Sequence, residues 1–200
     1  MARGAHYRVA FRRRREGATD YAARRKMIVS NLPRFVVRDS LKNICIQLVK
    51  ATAKGDQTLV SAHSEEIRDE YGWKASRGNL PAAYLTGLLA GHRALAKGCK
   101  QAILDIGLQD TTVGAKVFAA LKGAIDAGLD IPNTGDILPS EARIRGEHVA
   151  TYAEEVGKTN PEAYKRLFSG YLAAGLRLEE LPKHFDQTKK TIEDAFKGGQ

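Results

Sequence analysis

The sequence has few cysteines, no long apolar segment and hardly any acidic residues in its first quarter. Cys45 and Cys99 lie far apart and form no metal-binding pair, so we expect reduced thiols in the core of a cytosolic protein. The longest mostly apolar window, residues 80–96, contains His92 and Arg93 and is shorter than the roughly 20 apolar residues of a membrane-spanning helix. The basic N-terminus also lacks the apolar stretch of a secretory signal, so no association with a membrane is expected.

The scarcity of acids in the first quarter concentrates the positive charge there. Residues 1–50 contain thirteen Lys and Arg against three acids, whereas the other 150 residues contain nineteen against twenty. Ten of those thirteen cations are arginines, whose planar guanidinium groups can bond bidentately to phosphate and stack on bases. Aromatic residues are interleaved with them, and no helix-turn-helix, zinc-finger or basic-zipper pattern is present. A near-neutral body with such an arm predicts binding to RNA.

The N-terminal segment, residues 1–32, is predicted to be an RNA-binding arm that includes one short helix. Residues 1–18 have no period that would bury one face, so we expect them to be extended. Thr19 is the predicted N-cap of a basic helix that passes through Met27 and ends near Pro33.

Residues 33–132 are predicted to form an α/β core. Three β-rich runs indicate an antiparallel meander; they cover residues 34–38, 44–49 and 58–63. A helix that begins after Asn79 and stops at Gly98 follows from apolar residues at three- and four-residue spacing. The run 102–106 predicts a strand buried on both faces, and a second helix covers 116–127. This order predicts a mixed sheet with helices packed on it, parallel where the first helix crosses over.

The last third, residues 133–200, is predicted to be a nearly neutral helical appendage that packs on the body or on a neighbour. Three helices are expected, at residues 140–156, 161–168 and 183–196. Asn160 is the predicted cap of the second of these helices, with Pro161 at its first position.

Catalytic interpretations are weak in this chain. A metal-dependent nuclease would use Asp105, at the end of the last strand, with a second carboxylate from Asp126 or Asp130. Those two lie at the far end of a helix roughly 18 Å long, at about 1.5 Å per residue, so they are not expected to share a metal ion with Asp105. The five histidines lie in unrelated elements without ligand spacing. We therefore predict that the chain is not an enzyme and has no metal site and no cofactor.

Two other features keep alternative interpretations open. The segment from Gly107 to Lys116 lacks P-loop spacing, because six residues separate Gly107 from Gly114 and Ala115 precedes Lys116. The backbone amides of this segment could bind one phosphate, or the segment is an ordinary helix start. Trp73, the single tryptophan, could either pack at the edge of the core or stack on a nucleotide.

Several long motifs occur in an order that resembles one family. They are RRRREGATDYAARRKMIV (12–29), PRFVVRDSLKNICIQLV (33–49), TLVSAHS (58–64), YGWKASRGNLPAAYLTGLLAG (71–91), AILDIGL (102–108) and GAKVFAALKGAIDAGLDIP (114–132). The chain resembles the archaeal form of the eighteenth universal family of large-subunit ribosomal proteins, which binds 5S ribosomal RNA. The turn at residues 40–43 is similar to the family's Ser-Asn-Lys-His turn. Lys42 is retained there, while Leu41 and Asn43 depart from the pattern.

The resemblance implies a noncatalytic, cytoplasmic protein that holds 5S rRNA in the central protuberance of the large ribosomal subunit. Its implied partners are 5S rRNA, large-subunit rRNA and neighbouring ribosomal proteins, including the fifth-family 5S rRNA binder. The alternatives are a nuclease that uses Asp105 and a free RNA chaperone. The residues predicted to contact RNA are Arg3, Tyr7, Arg8, Arg12, Arg13, Arg14, Arg15, Arg24, Arg25, Lys26, Arg34, Arg38, Lys42, Asn43, Lys74, Arg77 and Lys116.

Overall fold

A computed structural model of the chain describes residues 4–197. In chain order the elements are α1 (Arg12–Arg15), α2 (Tyr21–Val29), β1 (Arg34–Asp39), β2 (Ile44–Thr52), β3 (Gly55–His63), α3 (Ser64–Tyr71), α4 (Leu80–Ala96), β4 (Ile103–Asp105), α5 (Lys116–Asp126), α6 (Glu141–Arg145), α7 (Glu147–Thr159), α8 (Pro161–Leu167), α9 (Ser169–Ala173), a 3₁₀ turn (Leu178–Glu180) and α10 (Leu181–Lys197).

The four strands form one mixed sheet in the order β3-β2-β1-β4. The first three are antiparallel neighbours, and β4 pairs in parallel with β1, as the crossover through α4 predicts. Alternation along the strands gives the sheet two different faces. Phe35 and Val37 of β1 and Ile46 of β2 are buried on the face toward α4 and α5. The other face, which carries Arg38 and Gln47, is the open face of the sheet.

The helices α4 and α5 cover the apolar face and touch each other through glycines. A Cβ atom at Gly87 would collide with the backbone carbonyl of Ala120, and one at Gly123 would collide with that of Tyr84. Because only glycine permits this approach, the two helices pack backbone to backbone over the sheet. The predicted starts of α4 and α5 are correct, and Asn79 caps α4 by accepting a hydrogen bond from the amide of Ala82 at 2.9 Å.

Several local expectations are corrected by the structure. Asp20 rather than Thr19 caps α2, because its carboxylate accepts from the amides of Ala22 and Ala23. The arm is not fully extended, since α1 forms one helical turn within it. The strand β4 lies at an edge of the sheet, so Ile103 and Leu104 are only half-buried instead of covered on both faces.

Two helical regions also differ from the sequence-based expectation. The helix predicted at 140–156 is broken into α6 and α7 by Gly146, which has a φ of 79°. The helix α3 has no counterpart among the predicted elements. It begins directly after β3 because two reciprocal hydrogen bonds cap its start. The side chain of Glu66 accepts a hydrogen bond from the amide of His63, and His63 Nδ1 accepts one from the amide of Glu65. The cap at Asn160 is confirmed.

The C-terminal helix α10 docks on the core through Trp73, which packs inside the protein. The Trp73 ring stacks on His184 with 5.0 Å between centroids, and its Nε1 donates to the carbonyl of Ser76. The amide of Lys74 donates to His184 Nε2 at 3.0 Å. Burial and the nearby Lys74 charge lower the pKa of His184, so the neutral imidazole that accepts this bond is favoured. The C-terminal third is thereby fixed to the α/β layers.

The two cysteines, predicted to lie in the core, are free thiols and only half-buried. Burial raises the pKa of the Cys45 thiol and keeps it protonated. Among residues 4–197 no helix combines the length and the apolar character that crossing a bilayer requires.

Leu88 tests the apolar layer between α4 and the sheet, because its side chain is 1% exposed. We expect Leu88→Ala to lower the free energy of unfolding by about 2–5 kcal/mol, measured by urea denaturation. Leu41→Ala is the matched control; Leu41 is 98% exposed, so a change within about 0.5 kcal/mol is expected. RNA binding by the Leu88 variant should weaken only through the unfolded fraction. Equal unfolding free energies for the two variants would contradict this assignment of the core.

Candidate nucleic-acid interface

The arm presents its arginines to solvent. Residues 4–18 are all exposed, and Arg12–Arg15 form the single turn of α1. The arm makes few contacts with the start of α2: Arg13 Nε donates to Thr19 Oγ1 at 2.8 Å, and the rings of Phe11 and Tyr21 lie 5.5 Å apart. The predicted contact residues Tyr7 and Arg8 are exposed as well. The cations of this segment are therefore available to a polyanion.

The helix α2 is held against the open face of the sheet by one ion pair. Arg24 Nη2 donates to both carboxylate oxygens of Asp56, at 2.9 and 3.0 Å. Arg25 and Lys26, the next two residues of α2, remain exposed. Asp56 thus fixes α2 on the sheet while two cations of this helix stay exposed to solvent.

Beneath α2 lies a buried charge network centred on Arg34 and Asp105. Arg34 Nη1 donates to Asp105 Oδ2 and its Nη2 to Asp56 Oδ2, both at 2.7 Å. Arg34 is only 5% exposed, and its Nε has no hydrogen-bond partner among residues 4–197. The prediction that Arg34 contacts RNA is corrected, because its guanidinium faces two carboxylates inside the protein. Its role is to join β1 to β3 and β4.

Asp105 is the acceptor that organises this network. Its Oδ1 accepts from Arg38 Nη2 at 2.9 Å and from the amide of Gly107 at 3.0 Å, while Oδ2 accepts from Arg34. Burial alone would raise the pKa of Asp105, but the hydrogen bonds and charges of Arg38 and Arg34 more than offset it and hold that pKa below its usual value. Both carboxylate oxygens are therefore bound to cationic side chains, which suits an ion-pair centre rather than the metal ligand of a nuclease.

Other predicted contact residues meet at the end of the sheet where β1 turns into β2. The turn is closed by hydrogen bonds between Ser40 and Asn43, and Lys42 at its tip is exposed. Gly78 packs against this turn, since a Cβ atom there would lie 2.7 Å from the carbonyl oxygen of Leu41. The neighbouring Arg77 is half-buried and forms an ion pair with Glu65. At this end of the sheet, the exposed cation Lys42 therefore lies near Arg77, which is paired with an acid.

Asp39 ties the start of α5 to the same end of the sheet. Its carboxylate forms an ion pair with Lys116 and accepts a hydrogen bond from Gln109. Lys116, predicted to contact RNA, is thus paired with an acid and half-buried. Lys74 is exposed at the loop that α10 covers.

The arm, α2 and the open face together enclose a cleft of about 570 Å³. It is lined on one side by Arg13, Asp20 and Arg24, and its floor includes Val36 and Arg38 of the sheet. The predicted contact residues therefore fall into two groups. The exposed ones are Tyr7, Arg8, Arg12, Arg13, Arg14, Arg15, Arg25, Lys26, Lys42 and Lys74; those engaged within the protein are Arg24, Arg34, Arg38, Asn43, Arg77 and Lys116. Arg3 lies outside the described residues.

Sequence reasoning missed two residues of this region, Asp56 and Gly107. Asp56 stands in the Lys54-Gly55-Asp56 turn, and the sequence marks it only as a turn residue. Gly107 has a φ of 71° and follows β4, where its amide bonds to Asp105. Both act through arginines that are distant in sequence, so no local pattern indicates their roles.

Comparison with known proteins shows the family of this chain. The family described as "Ribosomal large subunit proteins 60S L5, and 50S L18" matches residues 5–101 and 96–134. The chain belongs to the uL18 family of large-subunit ribosomal proteins. The resemblance inferred from the motifs is thereby confirmed.

The relatives within the uL18 family are similar along nearly their whole length. The large ribosomal subunit protein uL18 of Thermofilum pendens is 53% identical over 196 residues, which cover 98% of this chain and 100% of the relative. That of Staphylothermus marinus is 51% identical over 197 residues, or 98% of each chain. That of Aeropyrum pernix is 49% identical over 197 residues, or 98% of this chain and 92% of the relative. The predicted archaeal branch is also confirmed, and the similarity includes the C-terminal helices.

Proposed function

We propose that this chain is a structural constituent of the archaeal large ribosomal subunit that binds 5S rRNA and helps attach it to large-subunit rRNA in the central protuberance. Its site of action is the cytoplasmic ribosome. Its protein neighbours there include the fifth-family 5S rRNA binder. Membership of the uL18 family supports the ribosomal role, and the finer assignment to 5S rRNA rests on the resemblance together with the charged surface.

The observation that carries the proposal is the difference between the exposed and the paired cations. The arginines of the arm have few partners within the protein, whereas Arg34 and Arg38 of the sheet are paired with Asp56 and Asp105. Phosphate binding releases counterions only where protein cations are accessible. The arm and α2 are therefore the phosphate-binding part of the molecule, and the sheet is the frame that orients them.

Sedimentation and binding distinguish this function from the alternatives. In an archaeal cell, a tagged chain should travel stoichiometrically with the large subunit on a sucrose gradient, and 5S rRNA should be the RNA released with it after mild dissociation. The purified chain should bind 5S rRNA at least about tenfold more tightly than transfer RNA at equal salt. A chain that stays at the top of the gradient with mixed RNAs would instead support a free chaperone. Mg²⁺-dependent RNA cleavage that Asp105→Asn abolishes would support the nuclease.

A further inference from the structure

The guanidinium of Arg38 is fixed in one orientation on the open face of the sheet. Its Nη1 donates to the carbonyls of Val37 at 2.7 Å and of Asp105 at 2.8 Å, and its Nη2 donates to Asp105 Oδ1 at 2.9 Å. Three bonds to acceptors on two adjacent strands define the plane of the group. Nevertheless 47% of the side chain is exposed. A rigid cation that stays open to solvent is unusual, because exposed arginines generally retain many rotamers.

Gly107 lies against one flat side of this guanidinium. A Cβ atom placed on Gly107 would be 3.0 Å from Arg38 Cζ, 3.1 Å from Nη2 and 3.3 Å from Nε. Because the central carbon is the nearest of three almost equidistant atoms, Gly107 sits over the plane rather than at its edge. Gly107 therefore restricts access to one flat side of the guanidinium, and Arg38 and Gly107 both line the cleft.

The cleft suits a flat, uncharged group better than a phosphate. Its volume of about 570 Å³ falls in the range of about 300–1,000 Å³ typical of ligand pockets. Its acidic and basic groups largely neutralise each other, since Asp56 holds Arg24 and Arg34 while Asp105 holds Arg34 and Arg38. Three of the five N–H groups of Arg38 already donate to protein acceptors, so two remain for a phosphate. Stacking on the guanidinium uses none of these donors, and 47% of the side chain is open to solvent.

We propose that Arg38 is a stacking platform for the base of one unpaired nucleotide of the bound RNA, which enters the cleft between α2 and the open face. The base lies on the side of the guanidinium opposite Gly107. The phosphates on either side of this nucleotide bind the exposed cations Arg25 and Lys26 of α2 and the arginines of α1. Arginine planes stack on splayed-out bases in this way, and stacking tolerates a base of any identity. This inference rests on the proposed RNA-binding function and deepens it.

Arg38→Lys separates stacking from charge, because lysine keeps the positive charge but has no plane. We expect the affinity for 5S rRNA to fall about 5- to 150-fold, the range measured for loss of one stacked base, with the slope of log affinity against log salt unchanged. The matched control is Arg68→Lys on α3. Arg68 is 48% exposed and also bonded to an aspartate, Asp69, but lies outside the cleft. The Arg68→Lys variant should bind 5S rRNA with an affinity within twofold of that of the parent chain.

A thermodynamic cycle that combines the protein variant with modified RNA keeps the test independent of the variant's folding. Each unpaired nucleotide of 5S rRNA is replaced in turn by an abasic one, which removes the base and keeps the phosphate. With the parent chain, one replacement should reduce the affinity by the same factor as Arg38→Lys. Combined with Arg38→Lys, that replacement should cause no further loss, because the two changes remove a single contact.

Two outcomes would overturn the inference. The first is that the parent chain binds every abasic 5S rRNA with an affinity within twofold of its affinity for the unmodified RNA. The second is a loss with Arg38→Lys that adds fully to that of every abasic replacement, which would mean a contact other than a stacked base. The proposed function is tested separately by comparing 5S rRNA with transfer RNA. If the parent chain bound both equally, the specificity for 5S rRNA would be refuted, and the same abasic cycle on transfer RNA would still decide the role of Arg38.

Discussion

A chain that begins at Thr19 is expected to fold normally and to lose most of its affinity for RNA. The deletion removes six arginines and one acid, all from a segment whose described part is exposed. If each lost arginine neutralises one phosphate, the slope of log affinity against log salt should become shallower by about four to five. We expect a loss of affinity of at least about a hundredfold at 50 mM salt, measured by filter binding. Circular dichroism and the midpoint of thermal unfolding should remain those of the parent chain.

A charge-preserving variant serves as the control for this deletion. Replacing the arm arginines by lysines keeps the net charge, so the salt slope should stay close to that of the parent chain. For the parent chain itself, neutralisation of six to ten phosphates corresponds to a decrease in affinity of roughly 10³–10⁵ between 50 and 200 mM salt. The assignment of phosphate binding to the arm is wrong if the shortened chain binds 5S rRNA as tightly as the parent at physiological salt. Unfolding of the shortened chain would equally contradict the separation of arm from body.

The second large effect is expected from Asp105→Ala. This change leaves the charge of Arg34 buried with Asp56 as its remaining partner and removes one of the three hydrogen bonds of Arg38. Removing one partner of a buried ion pair costs about 3–5 kcal/mol, so the free energy of unfolding measured in urea should fall by about that amount. Asp110→Ala, an exposed position in the loop after β4, should change it by less than about 0.5 kcal/mol.

Acid titration gives an independent measurement of the same interaction. Because Asp105 has a lowered pKa in the folded protein, its contribution is present above the usual aspartate value of about 3.9 and is lost as the pH falls through the lowered value. The Ala variant should lack this part of the acid dependence. A variant with unchanged stability at neutral pH and an unchanged acid transition would show that Arg34 finds its partners elsewhere.

The elements that the sequence predicted well are those whose pattern depends on local burial. The strands at β1 and β2 alternate between core and open face, and α4 carries an apolar surface that needs no knowledge of its partners. The helix α3 was missed because its eight residues include five charged ones and only one large aliphatic side chain, Ile67. Its start depends on His63, at the end of a strand, which composition alone does not mark as a cap.

The candidate interface was only partly predictable for a related reason. The exposed arginines of the arm follow from charge density, because solvent exposure of a charged, aperiodic segment requires no tertiary partner. Burial of Arg34 depends on Asp105, which is 71 residues away, and on Asp56 in the next hairpin. The fixed plane of Arg38 depends in turn on the absence of a side chain at Gly107. Such long-range pairings leave no periodic trace in a single sequence.

Parallel pairing of β1 with β4 constrains the order of events while the chain is being synthesised. Arg34 emerges from the ribosome 71 residues before its partner Asp105, an interval of about 4–14 s at about 5–20 residues per second. Until β4 has been made, the sheet lacks its fourth strand and the plane of Arg38 has no fixed support. During this interval Arg34 and Arg38 lack the carboxylate of Asp105, while Asp56 is already present as the partner of Arg24 and Arg34. The buried pair of Arg34 with Asp105, and with it the fixed plane of Arg38, can therefore form only after the fourth strand has been made.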